Sequence, residues 1–204
     1  MYRLILFILL ISLTAKSQKK VNGLEKLVDQ TRTIMSEKQL KDYFIFTRSN
    51  YSIIDQVTVS DQGEEIKRES QSANNFQAYI FWKENSKCFI KLVNMNFEYQ
   101  PVEIKDCEFL KLDTKTINKI CKENVLPLIE RDHGREVMVD IPNHYDIKFY
   151  FTEGSSKDFP DFYLDELSKK NVNYAKNSKL QIFKLYQACK KIIDENQNKI
   201  NIKQ

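Results

Sequence analysis

From Tyr43 onward the chain repeats with a period of two and is dominated by aromatic and β-branched residues. Tyr43–Arg48, Ile53–Val59, Glu64–Glu69, Phe76–Lys83, Cys88–Val93, Phe97–Ile104 and Cys107–Leu112 each read as a strand. The links between them, such as Asp61-Gln62-Gly63 and Glu84-Asn85-Ser86-Lys87, are short and polar. A link of that length cannot hold a crossover helix, so neighbouring strands must pair antiparallel as a meander of about six or seven strands.

Helical spacing brackets this run. Asn22 and Glu25 form a capping-box pattern, and Leu24, Leu27, Val28, Thr31, Ile34 and Met35 recur on one face, which predicts a helix over residues 22–40. Asp113 can cap a second helix, with Ile117, Ile120, Cys121 and Val125 as its apolar stripe and Pro127 as its stop. A late hairpin is expected from Arg135–Ile141 and Tyr145–Phe151, turning at Pro142-Asn143, followed by loop over 154–177 with a helical turn near Phe162–Leu167. A last helix is expected to start at the Ser178/Gln181 capping box, to bury Ile182, Leu185, Tyr186, Cys189, Ile192 and Ile193, and to fray from Asp194. The order describes one α+β domain with three helices and a sheet buried on one face, its core including Ile80, Trp82, Cys88, Ile90 and Leu92.

The first residues set the expected compartment. Arg3 precedes the unbroken apolar run Leu4–Ile11, and Ser12, Leu13, Thr14 and Ala15 follow it, in the order of a cleavable signal peptide. A membrane span needs about 20 apolar residues, and this run ends sooner, at Lys16. Small side chains at Ala15 and Ser17 favour cleavage before Gln18, with cleavage after Ala15 as the second choice. Removing 17 of the 204 residues takes away two cations and no acid, leaving 187 residues with a net charge of +2. The expectation is an exported domain, periplasmic or extracellular, with no stable membrane insertion after cleavage. Interspersed charge of near-zero sum speaks against nucleic acid as a partner.

Four cysteines in an oxidising compartment allow three pairings for two disulfides. Cys88 with Cys107 is the first choice, because both lie in the meander; Cys121 with Cys189 competes if their helices pack side by side. Cys88, Cys121 and Cys189 should be buried.

The candidate chemistry is sparse. Glu130-Arg131-Asp132-His133-Gly134-Arg135-Glu136 is the densest charged stretch, in which His133 could act as a general base beside Asp132, Glu136 or Asp140. The same residues also suit a solvated turn, with Gly134 taking backbone angles that other residues avoid. His144 is the only other histidine, and the expected hairpin would hold the two apart. No metal or cofactor motif is present, so no cofactor is expected. Phe159, Phe162 and Tyr163 lie among acids and could present a surface to a protein or glycan of the cell envelope, or could pin a loop to the core. Asn50-Tyr51-Ser52 matches the glycosylation triplet. The residues therefore support an exported, non-catalytic binding module, with a hydrolase at His133 as the alternative. A concave pocket holding His133 and convergent carboxylates would favour the enzyme, and a convex surface there, with Phe159, Phe162 and Tyr163 exposed together, would favour binding.

Overall fold

The computed structural model describes residues 23–59, 65–94, 96–141, 144–164 and 170–200, with backbone alone over 51–59 and 65–75. The candidate signal peptide lies outside these residues. The chain is a mixed α+β domain built on a six-stranded antiparallel sheet, with a separate two-stranded sheet. In chain order the elements are α1 (Leu24–Glu37), β1 (Tyr43–Val59), β2 (Glu65–Glu84), β3 (Lys87–Asn94), β4 (Val102–Ile104), α2 (Thr114–Lys122), β5 (Ile129–Asp132), β6 (Arg135–Met138), β7 (Asp146–Phe151), β8 (Ser156–Pro160), the short α3 (Tyr174–Asn177) and α4 (Gln181–Ile200). The large sheet has the order β4-β3-β2-β1-β7-β8.

The expected burial of one sheet face is corrected to burial of both. Alternation along β1 sends Phe44 and Phe46 into one core, beside Tyr79, Phe81, Ile90, Ile147 and Phe149, under α2 and α4. Tyr43 and Ile45 enter a second core, with Ala78, Ile80, Trp82 and Leu27, Val28 and Met35 of α1. The sheet is thus the middle of three layers, and its central strands are apolar on both sides. The hairpin of β2 and β3 contributes to both: Phe81 stacks near Phe44 at 5.1 Å, and Trp82 stacks on Phe89 at 5.3 Å.

Several local expectations also change. The first two pairs of expected strands merge into strands of 17 and 20 residues. Their ladder runs from Tyr43↔Trp82 to Val59↔Glu65, whereas β7 meets β1 only over Phe44–Ser49 and β3 meets β2 only over Gln77–Glu84. Past Ser49, among the described residues, the two strands pair with each other alone. Ten further residues at about 3.3 Å each make an arm roughly 33 Å long. Cys107–Leu112 is not a strand, because Glu108–Leu110 closes a 3-10 turn that brings Cys107 back to β3. The expected strand Phe97–Ile104 shrinks to β4 and one bridge, Val93↔Glu98, interrupted by Pro101, which has no N–H to donate. The expected late hairpin does not form: Arg135–Met138 pairs with Ile129–Asp132, while Asp146–Phe151 pairs with β1 and β8.

Helix ends show why the rest differs. In α1 the N-cap is Gly23, while Asn22 lies outside the described residues; Ile34 is exposed. Asp113 caps α2 by accepting from the Thr116 amide at 2.7 Å. That helix ends at Lys122 because Glu123 turns away to cap another: its two carboxylate oxygens accept from the Gln181 and Ile182 amides at 2.8 and 2.9 Å. The cap of α4 is therefore supplied from 58 residues upstream rather than by Ser178. The end of α4 is ordered rather than frayed, since Ile200 is buried in the larger core.

Cys88 and Cys107 are joined by a disulfide with a Cα–Cα distance of 5.8 Å, while Cys121 and Cys189 are free. Cys189 is buried, and burial pushes its thiol pKa well up; Cys121 is only half-buried, against expectation. The bridge spans 19 residues, and closing a loop of that size is worth about 3 kcal/mol. Denatured but unreduced protein should therefore titrate two thiols, and a Cys88→Ala/Cys107→Ala variant should lose about that stability in a urea titration. Four titratable thiols would refute the bridge.

Candidate interaction surface

The chain leading into β5, Leu126–Ile129, is held by three asparagines. Asn177, fully buried, accepts from the Leu126 amide at 3.0 Å and donates to the Leu126 carbonyl at 2.9 Å. Asn171 accepts from the Ile129 amide at 3.0 Å, and Asn173 donates to the Pro127 carbonyl at 3.1 Å. The Val172 amide donates to the Ile129 carbonyl at 2.9 Å. Side-chain amides here do what a neighbouring strand does elsewhere, satisfying part-buried backbone groups; an unpaired backbone group costs up to about 1–3 kcal/mol where it is buried. The base of the hairpin is fixed by these bonds and by buried Leu128.

Beyond the base the hairpin stands in solvent. Its two-residue turn is His133-Gly134, both at positive φ (46° and 79°), as a type I′ turn requires. Asp132 faces Arg135, and Glu136 lies 3.8 Å from Arg131. All four β6 residues are exposed, including Val137 at 46 % and Met138 at 68 %.

Of the proposed catalytic residues, His133 and Asp132 meet here, without forming a pocket. His133 Nε2 lies 3.6 Å from Asp132 Oδ1, but their side chains are 96 % and 73 % exposed. Asp140 and Glu136 are exposed too. A solvated pair at a hairpin tip can neither hold a substrate nor exclude water, which general acid–base work at an oriented bond requires. The open groove of about 810 Å³ among the described residues runs along α2, lined by Thr114, Lys115, Asn118, Lys119, Lys122 and Glu123. It contains none of the four residues in question. Among the described residues, no three of His, Cys, Asp or Glu gather as metal ligands, and no helix is long and apolar enough to cross a membrane.

The aromatic trio is divided by strand pairing. Phe159 sits in β8 opposite Ile147 and is buried, 6.2 Å from Tyr186 across the core. Phe162 is also buried, edge-on to His144 at 5.0 Å, and Tyr163 is half-buried against it at 4.8 Å. These contacts are those of aromatics packed into the core. His144 itself is tied down, with Nδ1 2.8 Å from the Ile141 carbonyl and Nε2 3.4 Å from Asp146.

A second polar grouping had no sequence motif. Arg48 follows Phe44 and Phe46 on the same strand face, and its guanidinium lies over the Tyr145 ring at 4.5 Å and 4.0 Å from Asp161. Tyr79 donates to Gln77 nearby, and burial raises its hydroxyl pKa, opposed by the Arg48 cation. The cation closes one end of the large core. Its only sequence signal is a charge at an otherwise apolar position in an alternating strand.

No protein-family model, curated protein or solved structure matches this chain.

The two kinds of hairpin residue should respond oppositely to substitution. Asn177→Ala leaves both polar groups of Leu126 unpaired and should cost about 3 kcal/mol in chemical denaturation. His133→Ala should change stability by less than about 0.5 kcal/mol. A His133 variant as damaged as the Asn177 variant would contradict this division of labour.

Proposed function

We propose that this chain is an exported protein-interaction domain, and that its contact surface is the outer edge of β6. The observation that carries the reading is a strand with an open hydrogen-bonding edge and two exposed large apolar residues, Val137 and Met138, held on a rigidly anchored base. An exposed strand edge is a ready template for another chain, because its outward N–H and C=O groups lack partners. The two outer strands of the large sheet are guarded where it packs on the core: β8 ends in Pro160, and β4 is three residues long and follows Pro101. β6, four residues long, carries no proline and leaves Val137 and Met138 exposed.

Export is supported by Arg3, the apolar run Leu4–Ile11 and small residues at Ala15 and Ser17. It is also supported by the Cys88–Cys107 disulfide, a bond that persists in oxidising compartments.

Two measurements on cells that naturally make the protein test this reading. Mass spectrometry of the cell-envelope or secreted form should find a chain beginning at Gln18, or at Lys16 if the second cleavage choice is used. An intact Met1 overturns export. A photo-crosslinking amino acid at Met138 should yield a protein adduct that the same probe at Lys119, on α2, does not. Equal yields at both positions overturn the assignment of the surface.

A further inference from the structure

We propose that the β6 edge is filled by a second copy of this chain, the two β6 strands pairing antiparallel about a two-fold axis at Val137. This rests on β6 being an interaction edge and specifies what occupies it.

Backbone parity limits the possible registers. A two-residue turn makes Asp132 and Arg135 a hydrogen-bonded pair, and bonded and non-bonded pairs then alternate along the hairpin. The Val139 amide donating to the Leu128 carbonyl at 2.9 Å continues this alternation. The N–H and C=O of Arg135, Val137 and Val139 consequently point toward β5. Those of Glu136 and Met138 point to the outer edge.

Facing residues in an antiparallel pair are both bonded or both non-bonded, so a symmetric self-pairing within this edge centres on Glu136, Val137 or Met138. Centring on Glu136 sets it against the partner's Glu136. Centring on Met138 sets Glu136 against the partner's Asp140. Both place like charges directly opposite, which is destabilising.

Centring on Val137 has neither conflict. Val137 meets the partner's Val137 in a non-bonded pair, where side chains lie closest, and Glu136 meets the partner's Met138 in a bonded pair. The Glu136 carboxylate carries its own cation into the seam, Arg131 at 3.8 Å. The edge is therefore self-complementary in one register. The product is a four-stranded sheet, β5-β6-β6-β5, in place of two strands, a number that is only marginally stable alone. An isologous pairing also closes on itself and does not propagate into a fibre.

A cysteine scan of the mature chain in a Cys121→Ser background tests the register. At the two-fold position, Val137→Cys places two Cα atoms about 4.5 Å apart, inside the roughly 4.4 to 6.8 Å that a disulfide needs. Glu136→Cys and Met138→Cys are each offset from their own copy by two residues, about 7 Å along the strand, and fall outside it. Under mild oxidation, interchain dimer should form at least tenfold faster at position 137 than at 136 or 138. In sedimentation equilibrium the unmodified chain should show reversible dimer that Val137→Lys abolishes. Equal rates at the three positions, or a monomer at all concentrations up to about 1 mM, overturn self-pairing. The mass of the Met138 photo-adduct separates this failure from failure of the broader reading. An adduct of other mass overturns only the second copy as occupant, whereas absence of any adduct overturns both.

Discussion

The structure depends on β1 being apolar on both of its faces. A strand that alternates Tyr43, Phe44, Ile45, Phe46 offers hydrocarbon above and below the sheet, and neither surface can be left to water. One face takes α2 and α4, and the other takes α1. The strand must also be flanked on both edges, by β2 and β7, so that its backbone groups are satisfied where they are buried. Thr47 shows how strict this is: it is fully buried, and its hydroxyl donates to the Lys148 carbonyl at 3.2 Å.

What could be read from the amino-acid order is what short-range physics determines. The segments of β1 to β3, their antiparallel sense, the Asp113 cap, and the burial of Ile117 and Ile120 in α2 and of Ile182, Leu185, Tyr186, Cys189 and Ile192 in α4 follow from periodicity and local hydrogen bonding. Cys121 and Ile193, by contrast, are half-buried, and Val125 lies past the end of α2, which stops well before Pro127. The two-sided burial was visible in principle, since Tyr43–Phe46 is a continuous apolar run, but its period-two neighbours suggested a strand wet on one side. β8 was hidden because Ser156-Lys157-Asp158-Phe159-Pro160 has a single apolar residue to mark its inner face. The β5–β6 turn was hidden for a different reason. His133-Gly134 is as good a turn sequence as Pro142-Asn143, and local chemistry alone gave no ground for choosing between them.

The features that no local pattern announces are those in which a side chain replaces a backbone partner at a distance. Glu123 caps a helix that begins 58 residues later, and Asn171, Asn173 and Asn177 hold the extended chain over Leu126–Ile129. In a chain rich in asparagine, three more draw no notice. Their importance lies entirely in where the fold puts them. The surface proposed for interaction has the same character: Val137 and Met138 read as ordinary strand residues until the sheet that would have covered them forms elsewhere.

The position of β7 in the sheet also sets the timing of assembly. Thr47 and the Lys148 carbonyl that it meets are 101 residues apart, whereas β1, β2 and β3 follow one another and can zip together as soon as they exist. During synthesis β1 would therefore keep one bare edge, beside Phe44 and Phe46, until nearly three quarters of the chain had emerged. A half-made sheet of that kind is adhesive, and its survival depends on how quickly the last third of the chain is delivered or on a chaperone that shields it in the interval.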